Sequence, residues 1–231
     1  MRKSNLNGRE ALVALVDPTS PAAEAYRQLR TNIQFSSLDR PLRTLLVTSS
    51  GPDEGKSTTL ANLAVTMANT GTKVLLVDCD LRRPSLHEIF CVGNEQGLTT
   101  MILGSTSDLP AAESGVPNLR VLPSGPLPPN PSELLASQRM AEVLELLKGQ
   151  ADVILFDSPP VVAVTDAAVL AQRVDGVLLV LRAGKTRREM AQRAKAVLEK
   201  VNANLLGVVL NNVKYDADLH RYYMSGQRRG R

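Results

Sequence analysis

Residues 43–64 read RTLLVTSSGPDEGKSTTLANLA. A leucine- and β-branched run enters a loop of small and turn-forming residues, meets Gly55-Lys56-Ser57, and leaves as a helical pattern. In a strand–loop–helix of this kind, backbone N–H groups at the helix N-terminus cradle phosphate. Lys56 would reach the β- and γ-phosphates, and the Ser57 hydroxyl would bind Mg2+. One position departs from the full G-x-x-x-x-G-K-[ST] pattern, because Ser50 stands where the first glycine is wanted. Gly51, Pro52, Asp53, Glu54, Gly55, Lys56, Ser57 and Thr58 form the candidate phosphate-binding loop.

Outward from this stretch the same alternation continues. KVLLVD (73–78), LRVLPSG (119–125), DVILFD (152–157), GVLLVLR (176–182) and LLGVVLNN (205–212) read as further buried strands. They are continuous apolar runs, the pattern of a parallel sheet covered on both faces. Between them lie helical stretches at 57–70, 131–149, 165–174 and 186–202. The order predicts an α/β fold of three layers, a mostly parallel central sheet with helices on both faces. Ligands in such sheets bind beyond the carboxyl ends of the strands. SPAAEAYRQLRTNIQF (20–35) reads as an added N-terminal helix, with Ser20 as cap and Pro21 in the first turn. PSGPLPPNPSELL (123–135) reads as a rigid proline-rich turn ending in a helix start at Asn130-Pro131-Ser132.

A chain of 231 residues accommodates one such domain. ALVALV (11–16) is too short, and too soon broken by Asp17-Pro18, for a signal core or a span, so a cytosolic protein is expected. Cys79 and Cys91 make neither a disulfide framework nor a metal-ligand spacing. With only His87 and His220, a zinc site or a histidine-based triad is disfavoured. The net charge of +4 is uneven, with basic residues gathered at 185–195 and in the tail. Such a run is a solvated face or meets an anionic partner. No aromatics interleave the run at 185–195, so nucleic acid is not expected as a partner.

Two further strands end in carboxylates at the edge where the phosphate loop lies. Asp78 ends the run at 73–78 with Asp80 two residues beyond, and Asp157 ends the run at 152–157. Carboxylates in that place hold the metal of a phosphoryl-transfer site. Asp166, opening the next helical stretch, reads as a cap.

Taken together, SSGPDEGKST, VLLVDCDLRRP and ILFDSPP resemble the Walker A, Walker A′ and Walker B elements of the bacterial tyrosine kinases of capsule and exopolysaccharide synthesis. The likeness is to the Gram-positive form, whose kinase domain is a separate cytosolic chain. EAYRQLRTNIQFSS, PSGPLPPNPSELL and a tyrosine-bearing tail are also similar. Partition-type ATPases of the MinD/ParA kind, the alternative, carry a second lysine where this chain has Gly51.

The resemblance implies an N-terminal extension at 1–19, a P-loop kinase domain at 20–212 and a flexible tail at 213–231. It implies ATP and Mg2+ as cofactors, with Ser57, Asp80 and Asp157 at the metal. It also implies autophosphorylation of Tyr215, Tyr222 and Tyr223 by a neighbouring subunit. Lys56 would balance charge on the transferring group, and Asp78, with Asp80 second, would accept the tyrosine proton. Arg82 would either steady that group or pair with these aspartates. Asn211 would either read the adenine edge or form a turn with Asn212. Glu24, Arg27 and Arg30 form the Glu-x-x-Arg-x-x-Arg stripe that builds an octameric ring in that family, the ring loosening once the tails are phosphorylated. A separate transmembrane activator of the polysaccharide co-polymerase type would bring the chain to the inner face of the membrane.

Overall fold

The computed structural model describes residues 5–36, 41–106 and 108–213. In chain order these form α1 (Asn5–Glu10), α2 (Val13–Val16), α3 (Pro21–Phe35), β1 (Thr44–Ser49), α4 (Lys56–Ala68), β2 (Val74–Asp78), α5 (Leu86–Phe90), α6 (Leu98–Ile102), β3 (Ala112–Glu113), β4 (Leu119–Leu122), α7 (Pro131–Ala136), α8 (Gln138–Lys148), β5 (Val153–Asp157), α9 (Asp166–Ala171), β6 (Gly176–Arg182), α10 (Arg188–Lys200) and β7 (Leu205–Asn211). The strands make one sheet in the order β3-β4-β2-β5-β1-β6-β7. All neighbours run parallel except the short β3, which lies antiparallel to β4. β1 is central, paired with β5 on one side and β6 on the other.

Successive strand residues face opposite ways, and here each face has its own core. Leu46, Leu75, Val77, Ile154, Phe156, Val177 and Leu179 pack with buried side chains of α6, α7, α8, α9 and α10. Leu45, Val47, Leu76, Leu155, Leu178 and Val180 pack on the other side, chiefly against α4, α3 and α5. The continuous apolar runs of β1, β2 and β5 thus fill both layers, as the sequence pattern indicates.

LLGVVLNN is a correction. It forms β7 at the edge of the sheet, and Val208 and Leu210 are 54% and 56% exposed. Its apolar run carries no signal separating a central strand from an edge. The helical stretch 131–149 is likewise two helices. Ser137 has extended backbone, φ −63° and ψ 158°, and its hydroxyl accepts from Met140 N–H to cap α8. Leucine periodicity continues across the break and hides it. At 20–35 the reading holds: the Ser20 hydroxyl accepts from Ala23 N–H, and Pro21 occupies the first turn of α3.

The segment before α3 is joined to the core. Leu12 is 1% exposed and Ala14 4%. The buried side chain of Asn62 in α4 accepts from Ala14 N–H at 2.9 Å and donates to the Ala11 carbonyl at 2.8 Å. A second bond from its amide reaches the Thr58 carbonyl in the first turn of the same helix.

Candidate active site

The parallel sheet brings the carboxyl ends of β1, β2 and β5 to one edge, with Asp78 and Asp157 in register on neighbouring strands. Gly55 caps α4 with φ 86°, a left-handed backbone. The backbone conformation demands glycine, and a Cβ there, 2.1 Å from the Asn211 amide nitrogen, would also push that side chain off the loop. Asp53 also has positive φ, 58°. That is where a glycine is usual, and aspartate tolerates it better than most residues.

Lys56 Nζ lies 3.0 Å from Asp80 Oδ2 and 3.4 Å from Asp157 Oδ1. It is also 3.0 Å from the Ser57 hydroxyl, which donates to Asp157 Oδ2. Burial alone would lower the Lys56 pKa, but the carboxylates of Asp157 and Asp80 outweigh it and the ammonium form is strengthened. Asp157 is fully buried, and burial pushes its carboxyl pKa up against the pull of Lys56 and Ser57. Asp78 is pushed up to about 7, first by burial and then by the neighbouring Asp157 charge.

Asp78 and Asp80 occupy different positions. Asp78 Oδ1 accepts from Asp80 N–H, and Oδ2 accepts from Ser85 and Leu86 N–H at the start of α5. Both its oxygens therefore anchor the loop after β2. Asp80 gives one oxygen to Arg83 N–H and turns the other to Lys56. The structure thus sets Asp80, rather than Asp78, on the lysine.

Arg82 pairs with neither of them. It forms a two-pronged contact with the buried Asp166, Nε to Oδ2 at 2.9 Å and a terminal nitrogen to Oδ1 at 3.0 Å. The Ser132 hydroxyl joins the same carboxylate. Asp166 therefore holds an arginine from the loop after β2 instead of serving as a simple cap. Nothing in the spacing of two residues 84 apart announces this.

The crest of the phosphate loop is gripped from outside. The Glu54 side chain, 6% exposed, accepts from Ser50 N–H at 2.8 Å, Gly51 N–H at 3.1 Å and the Ser50 hydroxyl at 2.8 Å. Ser50 is thus a partner of Glu54 rather than a defect in the motif. The Thr186 hydroxyl also donates to Glu54. Asn211 Nδ2 donates to the Glu54 carbonyl at 3.0 Å, while its oxygen accepts from Asn212 N–H at 2.8 Å. Both sequence roles for Asn211 concern a place where it now holds the loop. It also rims a groove of about 790 Å³ between α3 and β7, lined by Tyr26, Leu29, Thr59 and Val209 among others.

The oxygens of Ser57, Asp80 and Asp157 are hard donors of the kind Mg2+ takes. Asp80 and Asp157 already face one cation, the Lys56 ammonium. Among the described residues no group of three or more His, Cys, Asp or Glu forms a ready-made metal cage. Mg2+ rarely uses such cages, since it keeps waters and shares phosphate oxygens.

Arg27 is closed on Glu24 at 2.6 Å and on the Pro18 carbonyl at 2.9 Å. Arg30 is turned to the Thr66 carbonyl of α4. The three residues therefore do not form one uniform outward stripe. Tyr215, Tyr222 and Tyr223 lie outside the described residues.

The CobQ/CobB/MinD/ParA nucleotide binding domain family matches residues 45–230. The chain is 45% identical over 204 residues to a tyrosine-protein kinase of Bacillus subtilis, YwqD, covering 88% of this chain and 86% of that one. The chain belongs to the bacterial tyrosine-protein kinases. To the putative tyrosine-protein kinase CapB of Staphylococcus aureus this kinase is 40% identical over 211 residues, 91% of this chain and 92% of that one. The crystal structure of the chimerical protein CapA2B2 superposes on it with a TM-score of 0.86 at 36% identity, covering 89% of this chain and 91% of the other. Among the described residues no helix of the kinase is long and apolar enough to cross a membrane.

Proposed function

We propose that the chain is an ATP-dependent protein-tyrosine autokinase that phosphorylates Tyr215, Tyr222 and Tyr223 of a neighbouring copy within a ring, and so regulates capsular or extracellular polysaccharide synthesis or export. The observation that carries this reading is the convergence of Lys56, Ser57, Asp80 and Asp157 at one sheet edge, in a chain akin to named tyrosine kinases.

In the transfer, the tyrosine oxygen bonds to the γ-phosphorus, the bond to the departing ADP oxygen breaks, and the phenolic proton passes to a carboxylate. The phenol, with a pKa of roughly 10, needs that acceptor. We assign it to Asp80. When Lys56 turns to the phosphates, Asp80 Oδ2 loses the partner it now has, whereas Asp78 remains tied to three backbone N–H groups. Lys56 and the loop amides of Gly55 and Ser57 balance the negative charge as it shifts toward ADP. Ser57 and Asp157 would hold Mg2+, with Asp80 reaching it only through water, and the ion would supply positive charge against the triphosphate when bound. Asn211 places the adenine at its end of the α3–β7 groove. Arg82, paired with Asp166, acts by fixing the loop that carries Asp80. A membrane-bound activator brings the cytoplasmic chain to the inner face of the membrane, and Glu24, Arg27 and Arg30 contribute to the ring contact.

The test is incubation of the full chain with Mg-ATP, with and without an activator's cytosolic segment, and mapping of phosphate by mass spectrometry. Phosphate on the tail tyrosines that disappears in Lys56→Met is the expected result. ATP turnover without phosphotyrosine would overturn the reading and favour a partition-type ATPase switch.

A further inference from the structure

The phosphate loop is held at its crest by residues from the far end of the chain. The Glu54 carboxylate accepts from Ser50 N–H, the Ser50 hydroxyl, Gly51 N–H and the Thr186 hydroxyl. Thr186 lies between β6 and α10, 132 residues beyond Glu54. Its oxygen also accepts from Arg182 N–H at 2.9 Å, which fixes the hydroxyl so that its proton points at Glu54. Beside this contact, the Arg182 guanidinium donates to the Asp53 carbonyl at 3.3 Å. A buried carboxylate this close to a triphosphate site would repel the ligand if it faced the cradle. Here four donors occupy it, turned toward Ser50, Gly51 and Thr186.

We infer that Glu54 and Thr186 are a positioning pair for nucleotide binding. Glu54 gathers the start of the loop and Thr186 ties it to the sheet edge. The amides that follow are then in place before a phosphate arrives. Neither residue needs to touch the reacting atoms. Preorganisation of this kind lowers the cost of binding. The cradle holds the phosphates before and during transfer alike, so loosening it weakens nucleotide binding and leaves turnover at saturation nearly unchanged. The inference concerns nucleotide binding and does not depend on which acceptor receives the phosphate.

The experiment uses the full chain as Thr186→Val, Thr186→Ser, Glu54→Gln and the Glu54→Gln/Thr186→Val double variant. Affinity for Mg-ADP is read by displacement of a fluorescent nucleotide, and tail phosphorylation at saturating ATP is read separately. Thr186→Val should weaken binding about tenfold, the scale of one hydrogen bond to a charged group, with saturated turnover within about twofold. Thr186→Ser keeps the hydroxyl and should restore binding to within about twofold of the parent. Glu54→Gln also disturbs the Ser50 and Gly51 contacts, so the double variant should bind worse than Thr186→Val but lose clearly less than the product of the two single losses, because both single losses include the Glu54–Thr186 contact.

Binding by Thr186→Val within about twofold of the parent would overturn the inference. So would a loss confined to saturated turnover, or losses that multiply in the double variant. If Thr186→Val fails to fold by circular dichroism, Glu54→Gln with Thr186→Ser decides by the same affinity readout. A parent chain that binds Mg-ADP but forms no phosphotyrosine would sink the kinase reading and leave this inference to its own variants.

Discussion

Replacing Leu12 by Ala tests whether the first residues are part of the folded unit or an appended arm. Leu12 is 1% exposed and packs among the side chains of α3 and α4 on one face of the sheet. Deleting a buried leucine's outer carbons costs about 2–5 kcal/mol, depending on how far the site collapses. The neighbouring helix α2 has only four residues. It can move inward, which places the expected loss near the lower end, about 2–3 kcal/mol. For a domain of this size that lowers Tm by about 5–10 °C.

Leu15, three positions on and 40% exposed, is the internal control. Leu15→Ala should change stability by less than about 0.5 kcal/mol. The chain has no tryptophan, so urea unfolding should be followed by circular dichroism and checked by calorimetry. A shift of midpoint without a change in slope would mark a change of stability rather than of unfolded-state compactness. Equal effects of Leu12→Ala and Leu15→Ala would refute the reasoning, and the segment would then be a loose arm despite its contacts with Asn62.

Three other outcomes follow from the geometry. The Asp78 carboxyl ionises near 3.8 when unfolded and near 7 when folded, so in that window the folded chain keeps a proton that the unfolded chain has lost. Stability from this group is therefore full below the unfolded value and falls as pH rises toward 7, by at most about 4 kcal/mol. Asp78→Asn should flatten that fall, and parallel stability–pH curves for the two proteins would contradict it. Asp53→Gly relieves the positive φ and should stabilise the chain by a few tenths to about 1 kcal/mol in urea titration, whereas a loss would show that the aspartate side chain matters more than its backbone. Arg82→Met leaves the buried Asp166 carboxylate without its guanidinium. It should cost about 1–3 kcal/mol, below the usual figure for a buried pair because Arg82 is 39% exposed, and a neutral result in thermal unfolding would count against the clamp.

The sheet and the phosphate edge were legible because they rest on local signals. Apolar runs of strand length, Gly55-Lys56-Ser57 opening a helix, and aspartates at the ends of strands each declare themselves within ten residues. What escaped depends on distance or on chemistry that local pattern does not carry. Arg82 and Asp166 meet across 84 residues, and Glu54 and Thr186 across 132. The break at Ser137 hides under unbroken leucine spacing. The short β3 has too few residues to show any alternation. Ser50 did offer a clue, since a hydroxyl in place of a glycine, four residues before a glutamate, invites a bond between them.

The position of β1 at the middle of the sheet has a consequence for how the protein is made. β1 ends at Ser49 and β6 at Arg182, so about 130 residues of translation, roughly 7–25 s at ribosomal speed, separate this strand from its second partner. Through that interval the apolar side chains of Leu45, Leu46 and Val47 belong to a nascent chain with an incomplete sheet, and such non-local parallel pairing forms slowly. The phosphate-loop sequence leaves the ribosome well before the residues that tie it down, Arg182, Thr186 and Asn211, which follow it by more than a hundred positions. Competence to hold nucleotide therefore comes long after the loop itself has been made.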